Sequence, residues 1–244
     1  MNEDLNNISF SPLREINLSY WFQDIQYNGK TLNDNERSVA ISEINQVISQ
    51  YEVGLPIING RLKELRGITG SSFERTLYSV ELFVISTMID CMVAGKYFLL
   101  ADRDYDKRYM RGKMKVVLNE GFKKLYGFTP AAKKESEWGQ LQSLLEVLPE
   151  KLKRDYQDIT SQLEKQSSSS SWWKEERDNE THLDPEGLYE SRMVVLNESK
   201  VMMESAKLYS VLMAVSIYLY NVNACLLNYL IVKFRRGELK DEKK

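Results

Sequence analysis

The sequence predicts an all-α protein, a single-domain helical bundle of four to five long helices with an N-terminal arm. Three observations predict it. Apolar residues recur at helical spacing through most of the 244 positions. Five prolines and twelve glycines are few for the many turns of a sandwich or barrel. At 43% apolar and 28% charged, the chain has an ordinary globular composition and can bury a sizeable core without staples. The net charge of −2 gives no general attraction to nucleic acid or to an anionic membrane.

Residues 1–33 read as an arm that packs on the body, with Phe10, Tyr20, Trp21, Phe22 and Tyr27, a turn at Asn28-Gly29 and room for short strands. The bundle occupies 34–244. Its first helix starts at Asn33 or Asp34 and carries Val39, Ile41, Ile44, Val47, Ile48 and Tyr51 at helical spacing to about Arg66. Gly54, Pro56 and Gly60 are expected to kink or split it. Ser71 with Glu74 three positions later offers a capping box for the next helix. That helix, running to about Ala101, is apolar on most faces and therefore central; Asp90 within it reads as a buried polar group.

A basic segment follows, with ten Lys or Arg against three acids between Arg103 and Lys134. Arg103, Lys107, Arg111 and Lys115 fall four apart, with Tyr105 and Tyr109 interleaved, a pattern able to hold phosphates and stack on bases. A solvated helix face is the plainer reading. Gly127 and Pro130 end the segment. Another helix is expected from about Ala132 to Lys165, bent near Pro149, with Leu141, Leu144, Leu145 and Leu148 on one face. Five serines, Ser167 to Ser171, open a loop over 166–186. The last helix, 187–236, follows the start signal Asp184-Pro185-Glu186, with an interruption possible near Asn197.

The first twenty residues lack the apolar core of a secretory signal, so a cytoplasmic location is expected. From Leu208 to Val232 there are twenty-five residues without a charge, long enough to span a bilayer. Asn221, Asn223, Asn228 and several tyrosines and serines favour instead a buried bundle helix, with the asparagines as interhelical hydrogen bonders.

Most chemical signatures are missing. Cys91 and Cys225 lie far apart in apolar surroundings, which fits neither a disulfide scaffold nor a thiolate zinc site. One histidine, His182, excludes sites needing two from one chain. No phosphate-cradling glycine loop and no nucleophile elbow are present. No metal and no cofactor are expected.

What remains is the run from Trp172 to Pro185, which holds Arg177, Asp178 and the sole histidine. It leads into a helix start, where backbone N–H groups bind anions. An arginine fork can clamp a phosphate, and an imidazole near neutrality can exchange the proton of a ribose 2′-hydroxyl. Six acids between Glu175 and Glu186 surround the arginine.

Arg177-Asp178-x-x-x-His182 resembles the Arg-x(4–6)-His motif of the HEPN superfamily (higher eukaryotes and prokaryotes nucleotide-binding). The resemblance implies an all-α bundle, commonly a homodimer, that pairs two copies of the motif into a metal-independent ribonuclease site. It implies Arg177 and His182 as the catalytic pair with Asp178 as orienter, RNA as substrate, and a defence or toxin–antitoxin setting with an antitoxin or other protein partner. Catalytically silent members serve as binding or dimerisation modules, and the acids around this motif favour that second reading. A membrane-anchored helical protein is a third.

Overall fold

The computed structural model describes residues 13–21, 32–68, 71–167, 177–178, 193 and 196–235. These contain eight α-helices, one 3-10 helix and no strand. In chain order they are α1 (Leu18–Trp21), α2 (Asp34–Glu64), α3 (Ser72–Leu100), α4 (Asp104–Leu125), α5 (Pro130–Glu135), α6 (Glu137–Gln140), the 3-10 helix Leu141–Val147, α7 (Glu150–Ser167) and α8 (Glu198–Arg235). The helices therefore outnumber the four or five expected: α1 lies in the arm, and the others arise where a single helix was read after α4.

Helix α2 begins with a reciprocal capping box. The Asn33 side chain accepts from Glu36 N at 2.9 Å, and the Glu36 carboxylate accepts from Asn33 N at 3.0 Å. The helix then runs without a break through Gly54, Pro56 and Gly60. Buried Ile44, Ile48 and Ile58 hold it from both sides of the proline, so tertiary packing overrides the missing N–H donor.

Helix α3 is the hub. It packs against α2, α4 and α8 and buries residues along its whole length, including Val80, Val84, Met88 and Phe98. The expected Ser71–Glu74 capping box does not form. The Ser71 hydroxyl donates backwards, to Leu65 O at 3.2 Å and Ile68 O at 2.8 Å, which ties α3 to the end of α2. Asp90 is exposed rather than buried. Close approach among three helices centres on Gly121 of α4, where a Cβ would come within 2.7 Å of Leu208 and 3.0 Å of Thr87.

Gly127, in the left-handed region at φ 82°, closes α4 as expected. Beyond it, the helix expected over 132–165 is replaced by α5, α6, the 3-10 helix and α7. Ser136 is extended, and its hydroxyl caps α6 by accepting from Gly139 N at 3.0 Å. Gly139 packs so closely against the Lys133 carbonyl that a Cβ there would collide with that oxygen. Leu148, before Pro149, is extended too, as the proline ring requires. In a 3-10 turn, residues three apart share a face, and Leu141 and Leu144 are both buried. The leucine spacing was thus met by a tighter helix than the one it suggested. Trp138 anchors this region, stacked on Tyr156 at 4.6 Å and donating to Thr160 Oγ1 at 2.8 Å.

Helix α8 starts after Asn197, whose side chain accepts from Lys200 N at 3.0 Å. The earlier start expected at Asp184-Pro185-Glu186, and Trp172 and Trp173, lie outside the described residues. Asn221 is fully buried and bonds the arm rather than another helix: it accepts from Arg14 N at 2.9 Å and donates to Arg14 O at 2.8 Å. Asn223 does bond across helices, donating to Glu81 of α3 at 3.4 Å. The described part of the arm contains α1 and places Leu13, Ile16, Leu18 and Leu32 against the core. Helices α3 and Glu198–Asn228 are long and apolar enough to cross a membrane by length and composition, with 39% and 50% of their apolar windows buried. The sequence had pointed to the second alone.

Candidate functional site

Helix α4 carries the basic stripe and receives the Arg177 side chain. Its buried face carries Gly112, Met114, Leu118 and Phe122, and on the same side the polar residues Lys115 and Asn119 are 1% and 0% exposed. Uncompensated burial of such groups costs several kcal/mol, roughly 3–5 for a stranded charge. Both are compensated. Lys115 Nζ donates to Glu204 Oε2 of α8 at 2.5 Å.

Asn119 meets the motif. Its Oδ1 accepts from Arg177 Nε at 3.2 Å, across 58 positions of sequence. Arg177 Nε also lies 3.2 Å from Glu120 Oε1, and Arg177 Nη1 lies 2.9 Å from Asp178 Oδ1. The Arg177 side chain is 16% exposed. The guanidinium therefore rests on α4 between one neutral acceptor and two carboxylates. His182 lies outside the described residues.

The basic stripe divides. Lys115 is interior. Lys107 donates to Glu198 Oε1 at 2.6 Å, and Arg37 of α2 donates to the same carboxylate at 2.9 Å. Burial pushes the Glu198 carboxyl up, but the hydrogen bonds from Lys107 and Arg37 outweigh it and hold the group below the usual carboxylate range. This cluster borders a cavity of about 300 Å³ lined by Asp104, Lys107, Arg108, Leu196 and Glu198. Of the four cations read on this stripe, Lys107 and Lys115 thus pair with carboxylates of α8, their side chains 18% and 2% exposed. Arg103 is exposed and Arg111 half-buried. Tyr105 and Tyr109 are 62% and 44% exposed, with Lys113 over the Tyr109 ring at 5.0 Å.

Other reactive groups are muted. Burial, with the Asp90 charge second, pushes the Cys91 thiol up to about 12, and burial raises Cys225 to about 11. Neither forms a ready thiolate. Among the described residues, no group of three or more His, Cys, Asp or Glu could hold a metal ion.

Sequence reasoning missed Asn119, Glu120 and Glu204. A signal existed for the first: Asn119 follows Lys115 by one turn and neighbours Leu118 and Phe122, so a polar residue fell on the apolar face. Comparison with protein families, curated protein sequences and solved structures gave no match.

Proposed function

We propose that this chain is an HEPN-like, metal-independent endoribonuclease, with its long helices forming the bundle of such a domain. The observation that carries this reading is the docking of the Arg177 guanidinium on α4 through Asn119, with Asp178 at 2.9 Å. A guanidinium held at a defined place can stabilise charge developing on a phosphorane. In this reading His182 takes the 2′-hydroxyl proton as general base and returns one to the leaving 5′-oxygen as general acid. The product carries a 2′,3′-cyclic phosphate. Asp178 orients the arginine, and Arg103, Arg111, Tyr105 and Tyr109 offer contacts to the RNA strand. A homodimer would pair two motifs, in a cytoplasmic defence or toxin–antitoxin system with a protein partner, and the apolar helices α3 and α8 would serve as bundle core.

The test is cleavage of mixed cellular RNA in excess chelator, wild type beside His182→Ala. Cleavage by wild type alone, leaving cyclic-phosphate ends, supports the reading; equal cleavage by both overturns it.

One observation favours a second reading, a catalytically silent binding module. Arg177 already faces the carboxylates of Glu120 and Asp178, which compete with a phosphate for the guanidinium. Retained partner binding in an Arg177→Ala, His182→Ala double variant, with no cleavage by wild type, would identify it.

A further inference from the structure

Asn119 is an unusual residue to find where it stands. An amide in a helix interior beside Leu118 and Phe122, with no exposed surface, is unfavourable unless its polar atoms are bonded. Its oxygen is directed at Arg177 Nε, 3.2 Å away. Behind it, one turn earlier on α4, the Lys115–Glu204 pair ties α4 to α8. The Asn119 side chain is thereby gripped by the packed core, while the arginine it bonds belongs to the motif segment. A neutral acceptor also differs from the two carboxylates beside it, because it aims a guanidinium without cancelling its charge.

We propose that Asn119 is a positioning residue for the candidate site: its amide oxygen seats Arg177 Nε and sets the plane in which the guanidinium meets a phosphodiester. The contact itself stands apart from any activity, but its catalytic consequence rests on the ribonuclease reading above. A seat of this kind acts on transition-state stabilisation, since misplacing a charged group by about 1 Å can lower a rate about 100-fold. Ground-state RNA binding, spread over other contacts, is affected far less.

The test uses the full chain, labelled with ¹⁵N, and reads the Arg177 Nε–H resonance, assigned by its loss in Arg177→Lys. Asn119→Leu removes the acceptor at nearly constant volume; Asn119→Ser, too short to reach, replaces it if the leucine variant does not fold. Asn119→Asp keeps an oxygen in place. The expected result is displacement of the resonance in Asn119→Leu and its retention in Asn119→Asp. Cleavage should fall about 100-fold in kcat in Asn119→Leu, with KM changed by less than about threefold. An unmoved resonance in Asn119→Leu overturns the proposal, as does a rise in KM with kcat intact. If wild type cleaves no RNA, the ribonuclease reading fails and the resonance alone decides: displacement in Asn119→Leu upholds the seat, and persistence sinks it.

Discussion

Lys115 Nζ lies 2.5 Å from Glu204 Oε2, joining α4 to α8 through a lysine that is 1% exposed. Removing the carboxylate would take a close ion-pair partner from a buried lysine. Glu204→Ala is expected to cost about 3–5 kcal/mol, whereas Lys115→Met with Glu204→Leu should recover most of it. Urea denaturation measures this as a lowered midpoint at unchanged slope. A single variant within about 1 kcal/mol of wild type would show that the pair is dispensable.

Glu198 gives the fold a pH dependence. Its carboxyl is held below the ordinary value of 4.5 by Lys107 and Arg37, despite burial acting the other way. A depressed acid stabilises fully above its unfolded value, and the contribution is lost as pH falls through the lower folded value. Wild type should therefore lose more stability than Glu198→Gln between about pH 5 and pH 3. Parallel urea midpoints across that window would contradict the assignment.

The exposed aromatics of α4 separate the two functional readings. If the chain binds RNA, Tyr105→Ala and Tyr109→Ala should each weaken single-stranded RNA binding about tenfold, the scale of one lost base–aromatic stack. Fluorescence anisotropy with a labelled oligonucleotide reads the change. Unaltered binding in the double variant removes this face of α4 from the interface.

Glycines in two settings should respond oppositely to alanine. Around Gly54 and Gly60 of α2 nothing lies within 4 Å of a new Cβ, so each replacement should add about 0.5–1 kcal/mol by restraining the unfolded chain. Gly139→Ala drives a Cβ against the Lys133 carbonyl and should cost about 1–3 kcal/mol. Thermal melts rank them, and a stabilised Gly139→Ala would show that α5 and α6 can separate without loss.

Much of the architecture was legible because it is local. The start of α2 at Asp34, the apolar sweep of α3 and the end of α4 at Gly127 each follow from residues within a turn or two of one another. The break at Ser136 and the 3-10 turn at Leu141–Val147 were not legible. Leucines three and four apart fit either helix, and Gly139 packs against the Lys133 carbonyl from the far side of the break. Ser71 carried a capping pattern yet turned its hydroxyl to the helix before it.

The sequence by itself determined the helical class and the ends of α2, α3 and α4, and it singled out the Arg177–His182 run as the feature most suggestive of chemistry. The tertiary structure alone decided which charges are interior. Lys107 and Lys115 share a spacing with Arg103 and Arg111, but Glu198 and Glu204 of α8, some 90 positions away, draw them inward. It also decided that Arg177 rests on Asn119. Helical spacing sets which side chains share a face; which face meets which partner depends on burial between distant segments, and that follows only once the helices have packed.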